Sequence, residues 1–75
     1  MTDALPQMTE VESGNLSHVG YDAAKRELFV RFKGGATWCY PDVSAELHAK
    51  LLAADSKGSF FHRNIKQTRD GRKVD

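Results

Sequence analysis

Apolar positions follow a two-residue rhythm in the first half of the chain and a helical one after Pro41. The clearest strand is "RELFVRFK" (26–33), where Leu28, Val30 and Phe32 alternate with Phe29, Arg31 and Lys33. Upstream, "NLSHVGY" reads as a short strand. "DAAK" between the two is a four-residue turn in which Asp22 caps its own backbone. Gly34-Gly35 supplies the positive φ angles of a tight hairpin turn. "ATWCY" is the return strand, closed by Pro41, which has no amide hydrogen for a ladder.

Beyond "PDV" the period lengthens. Ser44 is placed as an N-cap, with Glu46 in the first turn, where a negative charge is favoured. Leu47 and Leu51 stand one turn apart with Leu52 beside them, so "AELHAKLLAA" predicts an amphipathic helix, with His48 on its solvent side. Asp55-Ser56 interrupts this helix and can cap a second one. There Phe61 and Ile65 lie four residues apart, pointing inward, and Phe60 widens the apolar stripe. The predicted architecture is α+β: a three-stranded antiparallel sheet followed by two short α-helices packed on one face, in the order β-β-β-α-α. "MTDALPQMTEVESG" has no sustained period. Residues 1–12 read as a flexible acidic arm, 13–67 as the folded domain and 68–75 as a basic tail.

Composition narrows the class. A chain of 75 residues with 40% hydrophobic and 28% charged positions has room for one small globular domain. A core of this size supplies no more than about 3–5 kcal/mol, which makes self-association a live expectation. The single cysteine, Cys39, allows no internal disulfide, and no apolar run has the length of a membrane span. A cytoplasmic protein with no membrane association is expected. The net charge of +1 conceals a division. Residues 1–22 hold Asp3, Glu10, Glu12 and Asp22 with no lysine or arginine, whereas residues 56–73 hold six cations against Asp70 alone.

The stretches "SGNLSHVGYD", "LFVRF", "WCY" and "SKGSFF" with the following Ile65 resemble the KTSC domain, from about Val11 to Gln67. This module is named for its occurrence at the C-terminus of some lysyl-tRNA synthetases and also forms stand-alone bacterial and phage proteins. The family's Tyr-x-Tyr motif falls on Trp38-Cys39-Tyr40, with tryptophan in the first place. His62 stands where the family usually has asparagine. The resemblance implies a non-catalytic accessory module with RNA as its ligand, an association drawn from the company the domain keeps.

The residues themselves offer two candidate surfaces for nucleic acid. The first is the basic end, where Lys57, Arg63, Lys66 and Arg69 are placed to neutralise phosphates in a salt-sensitive way. The second depends on strand register. A two-residue Gly34-Gly35 loop would set Arg31 opposite Trp38 and Phe29 opposite Tyr40. Trp38 and Tyr40 would then share an open face with Arg31 and Lys33, a platform for stacking bases. A three-residue loop would shift the register by one and send Trp38 and Tyr40 into the core with Leu28 and Val30.

Other chemistry has less support. His18, His48, His62 and Cys39 lack metal-ligand spacing, and a mid-strand cysteine between aromatics reads as a small hydrophobe. No cofactor, metal or catalytic set is expected. The rival expectation is a small, dimeric interaction, adaptor or inhibitor protein that binds another protein or a nucleotide-like ligand.

Overall fold

A computed structural model of the chain describes residues 7–74. Five antiparallel strands form one sheet in sequence order: β1 (Thr9–Glu10), β2 (Leu16–Asp22), β3 (Glu27–Phe32), β4 (Thr37–Tyr40) and β5 (Arg72–Lys73). Between β4 and β5 the chain makes two helices, α1 (Ala45–Ala53) and α2 (Lys57–Phe61). The second runs on into a π-helical turn, His62–Lys66.

The expected α+β arrangement with two helices is present, but the sheet has five strands rather than three. The two additional strands come from the segments expected to be arm and tail. Thr9 and Glu10 pair with Val19 and His18, and the Val11 amide donates to the Ser17 carbonyl at 3.0 Å. Arg72 and Lys73 pair with Cys39 and Trp38, and the Val74 amide donates to the Thr37 carbonyl at 2.8 Å. Such short strands carry no hydrophobic rhythm of their own; a pre-existing sheet edge offers them backbone partners. Residues 1–6 of the expected arm lie outside the described residues.

Local chemistry sets the turns. The Asp22 carboxylate accepts from the amides of Ala24 (3.1 Å) and Lys25 (3.2 Å), as its position in the turn predicts. In the next hairpin the loop is Lys33-Gly34-Gly35: the Phe32 amide donates to the Ala36 carbonyl and the Gly35 amide to the Phe32 carbonyl, both at 2.9 Å. Gly35 takes φ of 103°, a conformation costly for residues with a Cβ. The three-residue loop fixes the register as Leu28 opposite Tyr40 and Val30 opposite Trp38.

That register removes the aromatic platform. Tyr40, 3% exposed, lies in the core with Leu28 and Val30, and half-buried Trp38 packs against the same cluster. Opposite them the helices contribute Leu51, Phe61 and Ile65, each buried. The Phe61 ring meets Tyr40 edge-on at 5.1 Å and Phe32 at 5.8 Å, a favourable arrangement for aromatic quadrupoles. Gly71, just before β5, lies against the Tyr40 ring so closely that a Cβ there would stand 2.6 Å from Cζ.

Both predicted caps form. Ser44 Oγ accepts from the Leu47 amide at 3.1 Å and Ser56 Oγ from the Ser59 amide at 3.4 Å. His48 does not simply face solvent: half-buried on α1, it stacks on the Tyr21 ring at 4.6 Å and 15°. The Tyr21 hydroxyl in turn donates to the Val43 carbonyl at 2.6 Å, tying β2 to the segment that leads into α1.

Candidate nucleic-acid interface

The loop before β2 and the helix after α1 are far apart in sequence, and the fold brings them together around a polar pocket of about 450 Å³. Ser13, Gly14 and Asn15 form one wall. The other is made by Ser56, Gly58, Ser59, His62 and Arg63. The loop is shaped by Ser13 Oγ, which accepts from the amides of Asn15 and Leu16, each at 3.3 Å. It is anchored at one end by fully buried Leu16. The Asn15 carbonyl also accepts from the Lys33 amide at 2.9 Å, binding the loop to the β3–β4 hairpin. On the helical side Gly58 allows close approach, since a Cβ there would stand 3.3 Å from Ser13 Oγ.

Of the predicted phosphate ligands, Arg63 lines this pocket, and Lys66 follows three residues on in the same π-helical turn. Both are exposed, and among the described residues neither has an ion-pair partner. Lys33 is also exposed, and its backbone holds the Asn15 wall. The others are directed elsewhere. The Lys57 ammonium donates to the Ala54 carbonyl at 3.2 Å, closing the end of α1. Arg69 Nη1 donates to the Asn64 carbonyl (3.0 Å) and to Thr68 Oγ1 (2.9 Å), capping the π-helical turn, and its Nε is buried without a hydrogen-bond partner. Arg31 lies on the sheet face away from the helices, its Nε donating to Thr37 Oγ1 at 3.0 Å. Tyr40 is buried in the core and offers no ring for stacking bases, while half-buried Trp38 packs against the same cluster. Burial pushes the Tyr40 phenol above its usual pKa of 10.0.

Sequence reasoning missed Ser13, Asn15, Ser59 and His62 as one group. The available signal was that "SGN" and "SKGS" both fall within the stretches that carry the family resemblance, although the hydrophobic pattern does not account for them; His62, where this chain departs from the family, carried no such signal. The exposed His62 Nε2 lies 3.1 Å from the Gln67 side-chain amide nitrogen.

Cys39 sits on the sheet face opposite the helices. Burial first, and then the nearby Glu27 carboxylate, push its thiol above its usual pKa, so it is a poor nucleophile. Among the described residues no group of three or more histidines, cysteines or carboxylates is arranged to hold a metal. Nor is any described helix long and apolar enough to cross a membrane.

This pairing of a small antiparallel sheet with two helices on one face, and with a polar pocket where two motif stretches meet, defines the class. The KTSC domain family model matches residues 12–68, and the chain belongs to that family. A protein of Tsukamurella paurometabola is 44% identical over 59 residues, spanning 79% of this chain and 88% of the relative. A KTSC domain protein from Yersinia pestis, known from its crystal structure, superposes with a TM-score of 0.85 at 34% identity. That match covers 92% of this chain and 97% of the other.

Proposed function

We propose that this chain is a non-catalytic module that binds nucleic acid, RNA in particular, through its phosphates. Supporting this reading is one observation: exposed Arg63 at the rim of a pocket with no carboxylate in its lining, and exposed Lys66 three residues further on. With Tyr40 buried and Trp38 turned to the core, binding rests on phosphate contacts rather than base stacking. Lys33, on the hairpin that holds Asn15, supplies a third cation. Arginine grips phosphate through a planar fork and lysine as a point charge, so Arg63 sets orientation and the lysines add affinity.

The test is fluorescence anisotropy with a short labelled single-stranded RNA. Three phosphate contacts to a single strand give a salt slope of about −2, hence a loss of about twentyfold in affinity between about 50 and about 200 mM salt. The Arg63→Gln, Lys66→Gln double variant should lose about two-thirds of that slope. Absence of binding at low salt, or binding indifferent to salt, would sink the reading. A salt-indifferent dimer in sedimentation would favour a protein-interaction role instead.

A further inference from the structure

The pocket beside Arg63 is larger than a phosphate group requires, and its walls restrict what else can enter. Its volume of about 450 Å³ falls in the range of about 300–1,000 Å³ usual for small-ligand sites. Six of the lining side chains are polar and the other two residues are glycines. An apolar ligand would strand their hydroxyl and amide groups without partners. For stacking a nucleobase the lining offers the His62 imidazole and the Arg63 guanidinium, with no tryptophan, tyrosine or phenylalanine, so polar contacts outnumber stacking surfaces.

The hydrogen bonding inside the pocket favours a ligand rich in acceptors. Ser13 Oγ already accepts from two backbone amides and Ser56 Oγ from one. In each case the hydroxyl hydrogen is left to donate. Arg63 adds a donor fork and a positive charge. Asn15 and Ser59 can both donate and accept, which suits sugar hydroxyls.

We propose that the pocket binds a ribose phosphate unit, its phosphate held by Arg63 and the serine hydroxyls and its sugar hydroxyls by Asn15 and Ser59. The inference rests on the nucleic-acid reading and specifies the part of the strand that enters. A free nucleotide or sugar phosphate presents the same chemistry, and the experiment separates the two sources. Recognition of the sugar would favour RNA over DNA through the 2′-hydroxyl.

The amide NMR spectrum of the full chain would be titrated with ribose 5-phosphate, with inorganic phosphate and ribose as references, and then with a short single-stranded RNA and its DNA counterpart. Ribose 5-phosphate should shift the amides of Asn15, Ser59 and Arg63. It should also bind about tenfold more tightly than inorganic phosphate, the equivalent of one or two added hydrogen bonds. Ser59→Tyr fills the pocket from an exposed helical position without altering charge; it should abolish ribose 5-phosphate binding and the preference for RNA over DNA. Arg63→Gln, also at an exposed position, should abolish binding of both phosphate and ribose 5-phosphate.

Equal affinity for phosphate and ribose 5-phosphate, or unchanged ribose 5-phosphate binding in Ser59→Tyr, would overturn the assignment. Salt-sensitive RNA binding with no ribose 5-phosphate shifts would overturn it while leaving the nucleic-acid reading intact. Pocket shifts with ribose 5-phosphate but no binding of RNA would support the pocket, discard the nucleic-acid reading and assign the site to a free nucleotide or sugar phosphate.

Discussion

The two faces of the sheet bury residues by different means. On the helix-covered face Leu28, Val30 and Tyr40 meet Leu51, Phe61 and Ile65, an apolar contact closed by edge-on aromatic packing. On the other face Phe29 and Cys39 are buried opposite each other, but Thr37 lies opposite Arg31 and Cys39 also lies opposite Arg72. There Arg31 bonds to Thr37, and Arg72 reaches Glu27 at 3.7 Å alongside Cys39. The first face depends on area removed from water. The second adds specific hydrogen bonds, each worth far less in net stability. Substitutions on the two faces should therefore differ in size by a factor of a few.

The sharpest test is Phe61→Ala. Phe61 is 2% exposed and touches both Tyr40 and Phe32, so truncation should cost about 3–5 kcal/mol. A core this small supplies about that much in all, so the variant should be largely unfolded at 25 °C by circular dichroism. A variant that stayed folded with its melting temperature lowered by only a few degrees would break the comparison.

Thr37→Val probes the other face. Valine keeps the shape of a fully buried threonine and deletes only the acceptor for Arg31 Nε. Half-exposed Arg31 can turn to water, so the cost should be about 1 kcal/mol, a fall of about 4–8 °C in melting temperature. A loss as large as that of Phe61→Ala would mean that the polar contacts, rather than apolar area, hold this face.

What was legible in the sequence follows the same division. The strand alternation, the two serine caps and the inward Phe61 and Ile65 could be read because each is a local pattern repeated on one element. The short strands β1 and β5 could not, since backbone pairing alone makes them strands and their side chains are exposed. The Gly34-Gly35 turn permitted two registers, and only the hydrogen bonds across Phe32, Gly35 and Ala36 select the one that buries Tyr40. For the interface, charge located the basic segment but not where each donor is spent. Lys57 and Arg69 resemble Arg63 in the sequence, yet they close helix ends. The pocket required Ser13 and Asn15 to meet Ser59 and His62, a contact that no local pattern encodes.

The smallest expected effect lies at the rim of the helix-covered face, where His48 stacks on Tyr21. Burial there lowers the imidazole pKa below its usual 6.5, so the folded state holds the ring neutral at a pH where the unfolded chain would bind a proton. The sign follows from proton linkage: stability is fully present above about pH 6.5 and is lost as pH falls through the lowered value of the folded state. The ring is only half-buried, so the loss should be small beside either substitution. Melting temperatures of the wild type and His48→Gln between about pH 7.5 and about pH 5 isolate it, because the variant keeps every other titrating group. The wild type should lose more stability than the variant over that interval. Equal losses would show that the stacked ring is as well hydrated when folded as when unfolded, and that the apolar character of this face ends before it reaches Tyr21.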